Sequence, residues 1–187
     1  MELDLYYYDN EVSIIMKYGI ISDTHITLKD DSVKIKKIIT QLQRIFKDVD
    51  EILHAGDVNE PFFLDELKKI APVKCVAGEE DLIENLEKYI KFSIGSFNIG
   101  LIHKIPDNLE EFIAKEGVQI LITGHTHVHL IENKPYKVLI LNPGSVTHPI
   151  APPEVKGFKK PIARPSVITL NIDENDAIST FLINLTT

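Results

Sequence analysis

Histidine and carboxylate side chains stand at the ends of several apolar segments of this 187-residue chain. Asp23 and His25 follow one such segment, Asp57 follows the next, and His125 and His127 follow a later one. Imidazole and carboxylate together suit divalent transition metals, whereas calcium and magnesium prefer oxygen alone. The sequence therefore predicts a metal site built at strand ends. The candidate ligands are Asp23, His25, Asp57, His103, His125 and His127, together with an acidic residue of segment 79–81.

The spacing of the paired ligands favours one shared cavity. Asp23 and His25 are two residues apart, as are His125 and His127, and alternate side chains of an extended chain point the same way. Glycines directly precede three of the ligand segments, at Gly56, Gly78 and Gly124. Such glycines are expected to let the backbone turn sharply. Because ligands of open α/β sheets bind beyond the carboxyl ends of the strands, these groups are expected to meet in one crevice.

The elements that must position these residues alternate between strand and helix character from Tyr18 onward. Helical periodicity occurs in four segments, at 35–46, 61–70, 81–90 and 107–117. Asp81 is expected to cap the third helix, and Asp107 with Glu110 to form a capping box on the fourth, which Gly117 ends. Hairpins are predicted for 91–94 with 97–103, for 130–133 with 136–142, and for 167–173 with 177–182. This alternation indicates an α/β fold with parallel strands first and mixed or antiparallel strands later.

Composition limits the classes of function. A hydrophobic content of 44% is enough for one substantial core, so we expect one domain over residues 16–187. The net charge of −8 disfavours a stable complex with nucleic acid. With Cys75 alone there is no internal disulfide, and no apolar run approaches the roughly 20 residues of a membrane span. We therefore predict a cytoplasmic protein without a membrane partner.

Residues 1–15 are expected to be a dispensable N-terminal extension, since the first strand has a natural start at Met16. The alternation of Leu3, Leu5 and Tyr7 leaves an added edge strand as the competing interpretation.

The order of these motifs resembles that of the calcineurin-like metallophosphoesterases, and among them the small YfcE-type phosphodiesterases. Residues 16–173 carry the resemblance, with Asp-Thr-His at 23–25, Gly-Asp at 56–57, Gly-Glu-Glu-Asp at 78–81, a lone His103, Gly-His-Thr-His at 124–127 and Asn-Pro-Gly-Ser at 142–145. It implies a four-layer αββα sandwich, in which two mixed β-sheets flanked by helices place two metals at their strand ends. Manganese is the first candidate, with nickel, iron, cobalt or zinc as alternatives.

The resemblance also implies a role for each ligand. Residues matching Asp23, His25 and His127 hold one metal, those matching Glu79, His103 and His125 hold the other, and the one matching Asp57 bridges them. The implied catalytic residues are Asp57, His103 and Glu80. Two positions depart from the family, which usually has Asn where this chain has Glu79, and a His or Cys proton donor where it has Glu80. Either glutamate can instead be a solvated surface charge.

We therefore expect a hydrolase: a phosphodiesterase in which a hydroxide bridging two metals attacks a small phosphodiester. The alternative is a scaffold on the same fold, similar to the retromer subunit, with weak or no catalysis. A homodimer is compatible with either. Three further histidines are expected to be structural, namely His54, His129 and His148. Asn142 and Ser145 are expected to shape the loop beneath the site.

Overall fold

The computed structural model describes residues 16–186, so both interpretations of residues 1–15 lie outside the described part. Strands and helices alternate along the first half, and strands dominate the second. The elements are β1 Met16–Ile21, α1 Ser32–Ile45, β2 Glu51–His54, α2 Pro61–Lys68, β3 Val73–Cys75, β4 Tyr89–Ile94, β5 Phe97–Ile102, α3 Leu109–Glu116, β6 Ile120–Ile122, β7 Leu130–Lys134, β8 Val138–Asn142, β9 Ser166–Ile172 and β10 Ile178–Asn184.

Two five-stranded mixed sheets are formed, in the orders β10-β9-β1-β2-β3 and β4-β5-β6-β8-β7. The strands β1, β2 and β3 run parallel, as do β5, β6 and β8. The three predicted hairpins are confirmed, because β4 with β5, β7 with β8, and β9 with β10 pair antiparallel. Each sheet therefore contributes a set of parallel strands whose carboxyl ends can carry ligands.

Alternate strand residues build a core on each face of the first sheet. Tyr18 and Ile20 pack towards the second sheet, whereas Ile21 packs towards α1 and α2. Gly19 also lies on the helix side, where an added Cβ would come within 2.7 Å of the Phe46 ring. A third cluster packs around α3 on the outer face of the second sheet. The layers are helices, sheet, sheet and helix, which confirms the predicted αββα sandwich.

Two predictions about helices were wrong. Residues 81–90 form no helix, because Asn85 has a left-handed backbone with φ of 65° and Tyr89 already begins β4. The capping box of Asp107 does not form either, since α3 begins after Asn108, whose side chain makes no capping hydrogen bond. Gly117 does end α3 in the left-handed conformation. No helix within residues 16–186 is long and apolar enough to span a membrane.

Candidate metal centre

The structure brings all seven predicted metal ligands to the carboxyl ends of the parallel strands. Asp23 and His25 follow β1, and Asp57 follows β2. Glu79 follows β3, His103 follows β5, and the two remaining histidines follow β6. Candidate ligand atoms lie within 4.8 Å of one another in three overlapping groups: Asp23, His25 and His127; Glu79, His103 and His125; and Asp23, Asp57 and His103.

The first two of these groups are called group A and group B below. In group A, His127 Nε2 lies 3.1 Å from His25 Nε2 and 3.4 Å from Asp23 Oδ1. In group B, Glu79 Oε2 lies 2.8 Å from His103 Nε2 and 3.2 Å from His125 Nδ1. These are the two sets that the family resemblance implies for two separate metals.

Asp57 lies between the groups. Its Oδ2 is 3.7 Å from His25 Nε2 in group A and 3.3 Å from His103 Nε2 in group B. Its other oxygen, Oδ1, accepts a hydrogen bond of 2.9 Å from the backbone N–H of Glu80. One carboxylate oxygen is therefore fixed by the loop, while the other faces both groups.

Oxygen atoms behind the histidines set the direction of their rings. His103 Nδ1 donates to the Ala55 carbonyl at 2.6 Å, and His127 Nδ1 donates to the His148 carbonyl at 2.8 Å. His25 Nδ1 lies 3.1 Å from the Glu80 carboxylate. These contacts occupy Nδ1, so Nε2 is the nitrogen of each ring that faces the site and could bind a cation.

The backbone at most of the predicted ligands is not extended. The expectation that the two members of each pair face one cavity, because alternate residues of an extended chain point the same way, was therefore wrong. Five of the seven have a positive φ, between 44° and 70°: Asp23, His25, Asp57, His125 and His127. The members of the second pair also join different groups, His125 in B and His127 in A. Left-handed backbone is costly for residues other than glycine, and such strain clusters at functional sites.

All three glycines are needed for space. Gly56 also turns the chain, with φ of 90°, and an added Cβ there would lie 2.7 Å from His103 Nδ1. At Gly78 an added Cβ would collide with Asp57, and at Gly124 it would lie 2.7 Å from Asp23 Oδ2 and still closer to Ser22 Oγ. The backbone therefore approaches the ligands so closely that no side chain fits at these three positions.

Asp81 organises the loops rather than capping a helix, which corrects the prediction for it. Its carboxylate accepts hydrogen bonds of 2.7–3.0 Å from the backbone N–H groups of four residues: Asp57, Val58, Asn59 and Gly78. It thereby joins the ends of β2 and β3. The sequence signal for a role of Asp81 in the site was its place as the last residue of segment 78–81, which resembles a motif of the family.

His54 ties two ligand loops together from the core. Gly56 N–H donates to its Nδ1 at 3.2 Å, which leaves Nε2 to donate to Thr24 Oγ1 at 3.3 Å. Complete burial lowers the pKa of His54 to about 3, so the ring is neutral at pH 7. The structural role expected for this histidine is confirmed.

The segment after β8 supports the site from below, as predicted for Asn142 and Ser145. Asn142 Nδ2 donates to the Gly124 carbonyl at 2.8 Å, and Ser145 Oγ donates to the Asp23 carbonyl at 2.6 Å. His148 belongs to the same segment, and its ring lies edge-on to His25 at 5.7 Å between centroids. A structural role was expected for His148, but its clearest contribution, the bond to His127, comes from its backbone carbonyl and not from its side chain.

Burial and neighbouring groups shift the pKa values of three central residues. Burial acts to raise the pKa of Asp57, but the nearby His103 ring and the Glu80 N–H outweigh it and lower the value to about 2. Burial acts to lower the pKa of His103, and contacts with Asp57 and the Ala55 carbonyl raise it to about 9. Burial raises the pKa of Asp23. The site thus concentrates carboxylate charge that a cation would stabilise.

Two observations fit a transition metal here. The donors comprise four imidazoles and three carboxylates, which is the mixture that such ions accept. His103 Nε2 is buried close to Asp57 and Glu79, but these contacts are not aligned for hydrogen bonding, and it has no hydrogen-bond partner among the described residues. A buried nitrogen without a partner is costly unless another species, such as a cation, contacts it.

The model of the calcineurin-like phosphoesterase superfamily domain matches residues 16–174. The chain belongs to this superfamily. A probable metallophosphoesterase of Methanothermobacter thermautotrophicus is 38% identical to it over 166 residues, which cover 84% of this chain and 87% of that protein. A probable metallophosphoesterase of Methanocaldococcus jannaschii is 39% identical over 144 residues, 73% of this chain and 71% of that protein. The chain is therefore a calcineurin-like phosphoesterase, of a metal-dependent family.

Solved structures share the fold of this calcineurin-like phosphoesterase at lower identity. A predicted phosphoesterase of Streptococcus pneumoniae has a TM-score of 0.64 and 21% identity, over 91% of this chain and 90% of that one. Zinc-bound Vps29 of Entamoeba histolytica has a TM-score of 0.62 and 24% identity, over 91% and 100%. A structure described as an archaeal phosphodiesterase has a TM-score of 0.63 and 23% identity, over 90% and 100%.

Proposed function

We propose that this protein is a metal-dependent phosphodiesterase with a dinuclear site, in which group A and group B each hold one cation. The position of Asp57 carries the proposal, because one oxygen lies 3.7 Å from a group A nitrogen and 3.3 Å from a group B nitrogen. A carboxylate shared by two sets of ligands suits two cations about 4 Å apart, the spacing of two-metal phosphoesterases.

When bound, the two cations would supply an activated water as nucleophile and neutralise charge on the phosphate oxygens. The chain contributes the fixed positions. Asp57 places a negative charge between the groups, and the Ala55 carbonyl holds His103 with its Nε2 directed at the same point. Glu80 orients His25 through Nδ1. Manganese remains our first candidate for the metal, with nickel, iron, cobalt or zinc as alternatives.

The position of Glu80 bears on the leaving group. Its side chain is 64% exposed and its carboxylate contacts His25, which favours a surface charge and a support for His25 over a proton donor. A proton donor must be directed at the leaving group, whereas this carboxylate lies 3.1 Å from His25 Nδ1. We therefore expect diesters with acidic leaving groups to be hydrolysed faster than alkyl monoesters.

The test is reconstitution of metal-free protein with manganese while hydrolysis of bis(4-nitrophenyl) phosphate is followed. Activity should rise with metal and reach its plateau at two equivalents per chain. Asp107→Asn, at an exposed residue outside the cluster, should behave like the parent. Saturation at one equivalent, or turnover independent of metal, would contradict the dinuclear proposal.

The scaffold alternative is favoured by one specific observation. The loop between β8 and β9 exposes large apolar side chains, with Phe158 79% and Ile162 67% exposed. A Vps29 structure with the same fold is complexed with a cyclic peptide. Tight binding of two metals without turnover of any phosphoester would favour this alternative over the enzyme.

A further inference from the structure

A cavity of about 460 Å³ opens beside group B. Its lining contains Gly78, Glu79 and His103, and therefore includes two of the proposed ligands. The lining also contains Lys88 and Lys104. The volume lies within the range of small-molecule sites, roughly 300–1,000 Å³. A molecule reacting at the metal centre can extend into this space.

The β4–β5 hairpin places the two lysines close together. Lys88 directly precedes Tyr89, which pairs with Ile102, and Lys104 follows two residues after Ile102. Both side chains are exposed, and neither makes an ion pair within residues 16–186. By contrast, Lys68 at the end of α2 and Lys69 directly after it each pair with a carboxylate of α2. Two lysine charges therefore remain available at the cavity.

We infer that this cavity is an anion subsite, in which Lys88 and Lys104 bind a second negatively charged group of the substrate. The inference rests on the phosphodiesterase function proposed above and narrows its substrate class. It favours phosphodiesters that carry a further phosphate or carboxylate beyond the reacting phosphorus.

Charge explains why such a pair matters in this protein. The chain carries a net charge of −8, and Glu79 adds a negative charge to the lining of the cavity. A substrate with a second anionic group is repelled by this field unless cationic side chains lie where that group binds. Lysine ammonium groups form charge-assisted hydrogen bonds with phosphate and carboxylate, and these are stronger than neutral ones. An uncharged ester arm would gain nothing from the two lysines.

Binding of two matched phosphonates tests the inference apart from turnover. Phenylphosphonate and 4-carboxyphenylphosphonate differ by one carboxylate and cannot be hydrolysed as esters. Calorimetry on the manganese-loaded protein at low ionic strength should give a Kd about tenfold lower for the carboxylated compound, the size expected of one charge-assisted contact. The double variant Lys88→Gln/Lys104→Gln should reduce this ratio to below about threefold. Lys115→Gln, at an exposed position on α3, should retain it.

The outcomes separate the two proposals. Equal affinities in the parent, an unchanged ratio in the double variant, or no binding of either phosphonate would overturn the subsite. If the phosphonates bind in the expected ratio while no phosphodiester is hydrolysed, the subsite stands and the proposed enzymatic function fails. If diesters are hydrolysed while the two phosphonates bind with equal affinity, the enzymatic function stands and the subsite fails. The single lysine variants, each expected to lose part of the ratio, guard against a folding defect in the double variant.

Discussion

Group A and group B use the same kinds of side chain but differ in exposure. In group A the Asp23 side chain is fully buried and His25 is 9% exposed, whereas in group B Glu79 is 52% and His125 39% exposed. All three group A ligands have left-handed backbone, but of group B only His125 does. Group A is thus held more firmly by the fold, while group B keeps two exposed side chains with more conformational freedom to lose on binding.

If each group holds a cation, as proposed, this difference predicts different tasks for the two groups. A ligand set that is already ordered loses little conformational entropy on binding, so group A should hold its cation more tightly. Group B borders the cavity with Lys88 and Lys104, where the remainder of a substrate can lie. The buried group therefore favours retention of a metal, and the open group favours access of a substrate.

Removing the residue that both groups share should have the largest effect. Asp57→Asn keeps the shape of the side chain but removes the negative charge between the groups, so both cations should bind more weakly. We expect kcat/KM for a phosphodiester to fall by roughly 1,000-fold or more, about 4 kcal/mol of transition-state stabilisation. Metal affinity measured by calorimetry on the same variant should fall for both sites. Unchanged affinity and activity would show that Asp57 is not shared.

Acid should lower the free energy of unfolding of the protein through His54, which is buried behind the site. Its pKa is lowered in the folded protein, so its contribution to stability is complete above the unfolded value near 6.5 and is lost as the pH falls towards about 3. Between pH 6.5 and 4 this loss amounts to about 3 kcal/mol in the free energy of unfolding. Urea unfolding of metal-free protein at several pH values measures it.

In His54→Gln the dependence over that pH range should be clearly flatter than in the parent. His129→Gln, which replaces a histidine outside both groups, is the matched comparison. Equal slopes in the parent and His54→Gln would mean that the ring is protonated in the folded protein.

Stepwise metal binding tests the comparison of the two groups directly. Titration of metal-free protein with cobalt should show two phases whose Kd values differ by at least about tenfold, with the tighter phase in group A. His127→Gln should abolish the tighter phase, and the matched variant His125→Gln should abolish the weaker one. A single phase in the parent would show that the two groups do not differ in affinity. Loss of the tighter phase in His125→Gln would show that group B is the tighter site.

The smallest effect is expected at Glu79. At about 5 Å and an effective dielectric of about 20, an extra negative charge opposes a phosphate by roughly 3 kcal/mol, which exposure of the side chain reduces to about 1. Glu79→Asn should therefore raise kcat/KM by about fivefold with metal in excess, while weakening the group B metal. Glu84→Gln, an exposed glutamate of the same loop, is the matched control. A Glu79→Asn variant no faster than the parent would place the limiting step elsewhere.

Sequence reasoning predicted which residues of the candidate site lie together, because the order of the strands carries that information. Asp57 and His103 follow apolar strands, and parallel strands in an αββα fold present their ends at one edge. It failed where the cause is a contact distant in sequence or a backbone angle. Asp81 accepts hydrogen bonds from residues 22 to 24 positions away, which no local pattern reveals. The apolar spacing in 81–90 is local, and it predicted a helix that the loop contacts override.

The left-handed backbone limits which amino acids each ligand position can accept during evolution. Aspartate, asparagine and histidine tolerate this conformation better than longer or β-branched residues, and the five ligands that adopt it are all aspartate or histidine. Glu79 and His103 lie outside this set. The one glutamate among the seven ligands thus occupies a position where the main chain restricts the choice of residue least. Related proteins that exchange a ligand are expected to do so at these two positions first, so metal preference can diverge through group B while group A stays constant.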